Sequence, residues 1–215
     1  VIRKRAGNVV FELWDSLEQI GPGECADFDV RISKNYGNDD VKFILVDGPV
    51  ERPGSIDEDT WRQDHWTATV DFAMLPGGNT VPFETGRYFT DGMTREIKVE
   101  ICAPYSALAA ARGSLTLRAE LKADALASDQ VTMEVEVTPE EALSATWVAS
   151  PTSIEPGQTF EVEVFVENVG NVPQTFAVRA GEEIAEWQVQ TAPEEPNGLV
   201  VGAATQMVIL VTVPL

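Results

Sequence analysis

Residues 20–38 read IGPGECADFDVRISKNYGN, and residues 154–171 read IEPGQTFEVEVFVENVGN. Each stretch contains a Pro-Gly turn, then a run in which apolar and polar side chains alternate, then an Asn-x-Gly-Asn turn. Alternation with a period of two is typical of a β-strand with one buried face and one wet face, and Pro and Gly break such strands. The recurrence of all three parts in the same order predicts two copies of one β module.

Strands of the same alternating kind occupy much of the remaining chain, and Pro- and Gly-rich breaks separate them. Many short strands with regular breaks are typical of an antiparallel sandwich. Helix is scarce, and the one candidate is the Ala-rich run 106–112. The predicted fold is therefore all-β, with two tandem immunoglobulin-like antiparallel β-sandwiches. The alternating runs lie near residues 66–72, 97–101, 115–121, 131–137, 160–166 and 207–213.

Further landmarks extend the repeat and divide the chain into domains. Trp14 aligns with Trp147, Phe43 with Phe176, and Trp66 with Trp187. The first module is predicted over residues 1–139 and the second over 146–215, with a short polar linker over 140–145. The second module lacks the last strands of the first, because the segment 105–137 that follows Pro104 has no counterpart after Pro214.

The composition excludes some classes of partner. The chain carries 35 acidic and 15 basic side chains, which give a net charge of -20. Such a surface repels phosphate backbones, so nucleic-acid binding is excluded. No apolar run approaches the roughly 20 residues that a membrane-spanning helix needs, so no membrane span is predicted in this segment.

The repeated motifs resemble the CARDB-type domain, a cell-adhesion-related immunoglobulin-like repeat of bacterial and archaeal surface proteins. The resemblance rests on Ile-x-Pro-Gly-(Glu/Gln), an alternating strand that ends in Asn-x-Gly, a later strand that closes in Pro, and residues 113–119, GSLTLRA. The first module carries the whole pattern, and the second module carries it as far as Pro214. The resemblance implies spacer or adhesive modules of surface proteins, with no shared catalytic residues.

The two cysteines are predicted to form a cross-strand disulfide in the first module. The alternation of their strands points Cys25 and Cys102 outward, and their counterparts in the second module are Thr159 and Thr212. The cysteines are thus present together in one module and absent together in the other. A disulfide suits an oxidising compartment, so the chain is predicted to be extracellular.

Candidate binding groups are few. The acidic loop with Asp57, Asp59 and Asp64 offers oxygen ligands for a possible Ca²⁺, without the spacing of an EF-hand; otherwise no cofactor is expected.

The single histidine, His65, is interpreted as a packing residue, because neither a second histidine nor a marked nucleophile accompanies it. Six aromatic residues are compatible either with a carbohydrate platform or with core packing, and packing is favoured. They are Tyr36, Trp61, Trp66, Phe83, Tyr88 and Phe89.

The predicted function is therefore a non-catalytic, extracellular structural or adhesive module of a cell-surface protein, a stalk, an S-layer-like array or a filament. Its partners are predicted to be other copies of itself or other surface-protein domains. The alternative is an accessory module of a larger secreted enzyme that binds carbohydrate or makes Ca²⁺-dependent contacts. An enzyme is not expected.

Three remedies remain open for the incomplete second module. The chain continues past Leu215, or a neighbouring subunit donates a strand, or the module closes on itself as a shorter variant. For donation, the predicted segments are Val1-Ile2 and the strand of Val9, Val10 and Phe11. The edge beside residues 207–213 is expected to distinguish the three, because an unfilled strand position there would expose backbone hydrogen-bonding groups.

Overall fold

The computed structural model describes residues 9–34, 40–49, 54–71, 87–88, 94–121, 124–149, 153–177, 186–192 and 198–215. The chain forms two compact units, Val1–Thr138 (unit 1) and Pro139–Leu215 (unit 2). Almost all the regular structure in the described residues is β-strand, as the sequence predicts. No helix there has the length and apolar character needed to cross a membrane.

Unit 1 is a sandwich of two sheets. Its elements are β1 (Val9–Leu13), β2 (Leu17–Ile20), β3 (Cys25–Lys34), β4 (Asp40–Asp47), α1 (Glu58–Trp61), β5 (Thr67–Asp71), β6 (Arg87–Tyr88), β7 (Thr94–Cys102), β8 (Arg112–Leu121) and β9 (Asp124–Val137). The first sheet has the order β1-β3-β7-β5 and the second the order β2-β9-β8-β4-β6. The core between them takes alternate residues from both sheets, such as Val30 and Ile97 from the first and Phe43 and Leu117 from the second.

Unit 2 contains one four-stranded sheet in its described residues. The strands are β10 (Leu143–Ala149), β11 (Thr159–Asn168), β12 (Gln188–Ala192) and β13 (Ala204–Thr212), in the order β10-β11-β13-β12. A single bridge, Gln174 to Leu199, lies outside these strands. The buried face of the sheet is lined by Val162, Val164, Val166, Met207, Ile209 and Val211.

The sheet of unit 2 repeats the first sheet of unit 1 in both order and register. β3 and β11 each have ten residues, β7 and β13 nine, and β5 and β12 five. Cys25 lies opposite Cys102 in unit 1, and Thr159 lies opposite Thr212 in unit 2. The edge strands join at matching positions, since Val9 pairs with Lys34 and Leu143 pairs with Asn168.

The Pro-Gly turns before β3 and β11 have closely similar geometry. Gly23 and Gly157 have φ of 72° and 76°, the left-handed region that favours glycine. The Gly23 N–H donates to the Pro104 carbonyl at 3.0 Å, and the Gly157 N–H is shared between the Val213 carbonyl at 3.1 Å and the Pro214 carbonyl at 3.3 Å. A Cβ on Gly23 would lie 2.3 Å from the Tyr105 ring, and one on Gly157 would lie 2.9 Å from the Leu215 side chain. Both turns are therefore closed by the end of the strand next to them.

Four expectations need correction. β2 and β9 pair in parallel, so the sandwich of unit 1 is not wholly antiparallel. Residues 106–112 form turns and the start of β8. The helix of the described residues is instead α1, and the Asp57 side chain caps its first turn. The predicted linker 140–145 belongs to unit 2, because β10 begins within it at Leu143 and the Glu140 carbonyl accepts from the Asn171 N–H at 3.0 Å.

The fourth correction concerns Trp147, whose counterpart is Leu13 and not Trp14. Leu13 lies opposite Val30 in β3, and Trp147 lies opposite the matching Val164 in β11. Trp14 instead lies against the Arg31 guanidinium, 4.5 Å from the ring centroid. The predicted match of Trp66 with Trp187 is confirmed, because Thr67 pairs with Cys102 as Gln188 pairs with Thr212.

The expectations about strand donation are also corrected. β13 has β11 on one side and β12 on the other, so neither edge beside it is open. Val9, Val10 and Phe11 lie in β1, paired with β3 of their own unit, and Val9 is only 4% exposed. Donation by these three residues is therefore wrong. Val1 and Ile2 lie outside the described residues.

The Asn168–Asn171 motif has a structural role in unit 2. The buried Asn168 amide donates from Nδ2 to the Val172 carbonyl at 2.8 Å and to the Leu199 carbonyl at 2.9 Å. Its Oδ1 accepts from the Gly170 N–H at 3.1 Å. One side chain thus satisfies three backbone groups where β11 ends.

Replacing Asn168 by alanine should lower the free energy of unfolding of unit 2 by about 1–3 kcal/mol, because buried backbone groups lose their partners. Urea unfolding of the full chain, followed by circular dichroism, measures the change. The control is Glu167→Ala, at the adjacent exposed position. Equal unfolding midpoints for the two variants would contradict the assigned role.

Candidate functional site

The predicted cation loop does not bring its aspartates together. Asp57 caps α1, where its Oδ1 accepts from the Thr60 N–H and its Oδ2 accepts from the Thr60 hydroxyl, both at 2.8 Å. The Asp64 Oδ1 accepts from the Ser106 hydroxyl at 3.0 Å. Among the described residues, the one group of three metal-ligand side chains consists of Cys25, Glu100 and Cys102. The three carboxylates of the predicted Ca²⁺ site, Asp57, Asp59 and Asp64, therefore do not converge in this structure, and two of them hold the loop itself.

His65 packs against Trp61 within the same loop. The two rings stack with their centroids 3.6 Å apart and their planes 8° apart. The His65 Nδ1–H donates to the Trp61 carbonyl at 3.1 Å. The stack and the local hydrogen bond support the interpretation of His65 as a packing residue.

Arg62 ties this loop to the rest of unit 1. Its Nη2 donates to the Gly23 carbonyl at 2.7 Å, and its guanidinium lies 5.0 Å from the centroid of the Tyr105 ring. In return, the Tyr105 N–H donates to the Arg62 carbonyl at 2.9 Å. Residues 57–65 are therefore held against the Pro-Gly turn and against the segment between β7 and β8, beside the cysteine pair.

The predicted disulfide is present. Cys25 and Cys102 are bonded, with Cα atoms 4.0 Å apart and a sequence separation of 77. The Ala103 N–H donates to the Glu24 carbonyl at 2.9 Å, so the cysteines occupy a non-hydrogen-bonded pair of the ladder, where opposing residues approach most closely. Because both sulfurs are bonded to each other, the Cys25–Glu100–Cys102 group is a disulfide with a carboxylate beside it and not a set of thiolate ligands for a metal.

The aromatic candidates do not form an exposed row in the described residues. Trp66 is partly buried against the core and covers Gly113, where a Cβ would lie 2.3 Å from the Trp66 ring. Trp61 is half-buried under its stack with His65. Tyr36, Phe83 and Phe89 lie outside the described residues, as does the Tyr88 side chain. Packing therefore accounts for Trp61 and Trp66, the two of the six candidates whose side chains the structure describes.

An exposed apolar row on one strand lies in unit 2, and the sequence reasoning missed it. Leu143, Ala145 and Trp147 alternate along β10 and lie opposite Asn168, Val166 and Val164, so they share the buried face of the sheet. Yet Leu143 is 40% exposed and Trp147 is 68% exposed. We call Leu143, Ala145 and Trp147 the β10 face.

The matching residues of unit 1 are covered. Val9, Phe11 and Leu13 occupy the same three positions on β1, and all of them pack in the core of unit 1. β9 and β8 lie over β1, and the Phe11 N–H donates to the Asp129 Oδ2 at 2.8 Å. No counterpart of β8 or β9 occurs in the described residues of unit 2. Among the described residues, the β10 face is thus an apolar strand face without its cover.

One signal in the sequence could have identified this face. Residues 143–147 alternate as the other strands do, but the alignment of Trp147 with Trp14 was one residue out of register. A shift of one residue moves a side chain to the opposite face of a sheet. The correct register places Trp147 on the same face as the core valines of β11.

Comparisons with known proteins identify no relative. No family model matches the sequence, and no curated protein is significantly similar to it. Among solved structures, the secreted serine protease VesC from Vibrio cholerae is 10% identical with a TM-score of 0.36, over 96% of this chain and 46% of that protein. A putative carbohydrate binding protein from Bacteroides ovatus is 10% identical with a TM-score of 0.34, over 94% of this chain and 64% of the other.

A family 123 glycoside hydrolase from Clostridium perfringens is 9% identical with a TM-score of 0.37, over 60% of this chain and 27% of the enzyme. The chain spans less than two thirds of each of these three proteins. All three TM-scores are below 0.5, so these likenesses carry no argument about the function of this chain.

Proposed function

We propose that the chain is a non-catalytic structural or adhesive module of an extracellular, cell-surface protein of the CARDB-like kind, in a stalk, an array or a filament. The observation that carries this proposal is the β10 face. Exposed apolar area that matches the core of a sister unit marks a surface for contact with protein. The function then lies in joining polypeptides through unit 2, while unit 1 is a closed, cross-linked body.

Three further features support an extracellular structural role. The Cys25–Cys102 disulfide suits an oxidising compartment. The net charge of -20 keeps a repetitive protein soluble by mutual repulsion. The polar side chains of the acidic loop are engaged in capping and in local hydrogen bonds, which is the expected use of such groups in a module without chemistry of its own.

The alternative, binding of carbohydrate or Ca²⁺ on behalf of a larger secreted enzyme, is not favoured by any arrangement of the described residues. Its aspartates do not converge, and its described aromatic side chains are packed. We therefore propose the structural or adhesive function alone.

Surface labelling of intact cells of the source organism tests this function. Antibodies raised against the chain should label unpermeabilised cells, and brief treatment of the cells with an external protease should remove the label. Labelling that requires permeabilised cells would contradict the proposal. A cytoplasmic marker protein, labelled in parallel, controls for broken cells.

A further inference from the structure

We propose that the β10 face of unit 2 binds a β-hairpin partner with one apolar face, in the position that β8 and β9 hold in unit 1. This inference rests on the proposed function, because it names the partner of the same surface. Three observations support it: the match between the two sheets, the absence of a strand at Ser153 and Ile154 before β11, and the charge of unit 2.

The first observation is the match between the two sheets. Leu143, Ala145 and Trp147 hold the positions of Val9, Phe11 and Leu13, in the same register against the next strand. In unit 1 this row packs in the core, with Val9 buried and Phe11 and Leu13 partly buried, and the β8–β9 hairpin lies over it. The same row in unit 2 is exposed. The sister unit therefore shows what kind of structure fits the face.

The second observation is independent of the apolar row. In unit 1, β2 exists as a strand because it pairs in parallel with the last residues of β9, with Ile20 opposite Val137. Ile154 is the counterpart of Ile20. Ile20 stands five residues before Cys25, the first residue of β3, and Ile154 stands five residues before Thr159, the first residue of β11. Ser153 and Ile154 form no strand in unit 2. A segment that needs a parallel strand beside it thus lacks one, and the second strand of a hairpin of this kind would supply it.

The third observation defines the chemistry of the partner. The inward residues of the unit 1 hairpin are aliphatic, with Leu117 and Val135 fully buried. A partner for the β10 face therefore needs Leu, Val, Met or Ala at alternate positions on one face. Residues 139–215 carry 11 acidic side chains and only one basic one, Arg179. Like charges repel, so a partner of low net charge is favoured, such as residues 106–138 with five acidic and three basic side chains, and a second copy of the acidic unit 2 is disfavoured.

The probe is the full chain extended after Leu215 by a second copy of residues 106–138. This hairpin folds against the sister sheet in unit 1, and Leu215 occupies the place of Tyr105 against the Pro-Gly turn. Tethering gives the hairpin a high effective concentration at the face. Hydroxyl-radical oxidation of each tryptophan, read by mass spectrometry, measures how exposed Trp147 is, and amide hydrogen exchange reports on residues 153–154.

We expect the extension to reduce the oxidation rate of Trp147 several-fold, to that of half-buried Trp66, and to slow exchange at residues 153–154. The matched control carries Leu117→Glu and Val135→Glu in the appended copy alone, and it should leave Trp147 as reactive as in the unextended chain. Because unit 1 keeps its own hairpin in both proteins, misfolding of unit 1 cannot imitate the effect.

Two results would overturn the inference. One is an oxidation rate of Trp147 that the apolar extension leaves unchanged. The other is concentration-dependent dimerisation of the unextended chain that buries Trp147 and that Trp147→Glu abolishes, which would make a second copy the occupant. Either result leaves the surface-labelling test of the proposed function untouched, so failure of the partner and failure of the function are distinguishable.

Discussion

Replacing Cys25 and Cys102 together by threonine should lower the free energy of unfolding of unit 1 by about 2–5 kcal/mol. The bond joins strands whose cysteines are 77 residues apart in the sequence, so its loss frees a long loop in the unfolded chain. Threonine is the informative replacement, because unit 2 holds Thr159 and Thr212 at the same two positions. Their hydroxyl oxygens lie 2.8 Å apart, so a threonine pair fits this site of the ladder.

Thermal and urea unfolding of the full chain, with amide exchange to assign each transition to a unit, measures the loss. The unsubstituted chain under strong reductant is the control, and it should approach the variant. Unit 2 should unfold as before in both. Alkylation of both thiols in the untreated protein, without prior reduction, would show that the bond does not form and would remove the basis of this prediction.

A disulfide introduced at the matching positions of unit 2 should stabilise that unit. The Thr159→Cys, Thr212→Cys variant places two cysteines at the positions that match Cys25 and Cys102. The Val213 N–H donates to the Gln158 carbonyl, just as the Ala103 N–H donates to the Glu24 carbonyl in unit 1. This is again a non-hydrogen-bonded pair. Oxidation should form the bond without moving the strands and raise the free energy of unfolding of unit 2 by about 2–4 kcal/mol.

A variant out of register is the matched control. Thr159→Cys, Leu210→Cys places the second cysteine two residues away along β13, at a diagonal Cα distance of about 7–8 Å that a disulfide does not span. Mass spectrometry should find the bond in the first variant and free thiols in the second. Bond formation in the control alone would mean that β11 and β13 pair in a different register.

The alternation of side chains carried most of the fold prediction. It identified the long strands that became β3, β7, β8, β11 and β13, and it set which of their residues are buried. The same parity placed Cys25 and Cys102 on one face, and the repeat supplied the threonine pair. Periodicity and repetition report on local structure and on register within a strand, so these features were within reach of the sequence.

The placement of edge strands was beyond that kind of reasoning. Which strand lies beside β13 depends on contacts across the sheet, and alternation is the same for an edge strand and for a central one. The expected open edge and the expected donor strand Val9–Phe11 both failed for this reason. The linker at 140–145 failed because Glu140 and Ala142 bond through their backbones to residues 169–171, which composition does not reveal.

At the candidate site, too, sequence patterns predict local features and miss those that depend on the folded structure. Acidic residues close in sequence suggested a cation loop, but the Asp57 and Asp64 carboxylates point to Thr60 and Ser106. The β10 face was hidden by an alignment error of one residue at Trp147. In both cases the outcome depends on where a side chain points in the folded unit.

The exposure of Trp147 in the unextended chain tests the central claim most directly, namely that unit 2 repeats the sheet of unit 1 with part of its apolar face uncovered. Hydroxyl-radical oxidation at low protein concentration compares three tryptophans in one experiment. Trp147 should react about as fast as Trp14, which is 65% exposed, and clearly faster than half-buried Trp66. A rate for Trp147 equal to or below that of Trp66 would show that the face is covered within this chain and would contradict the account.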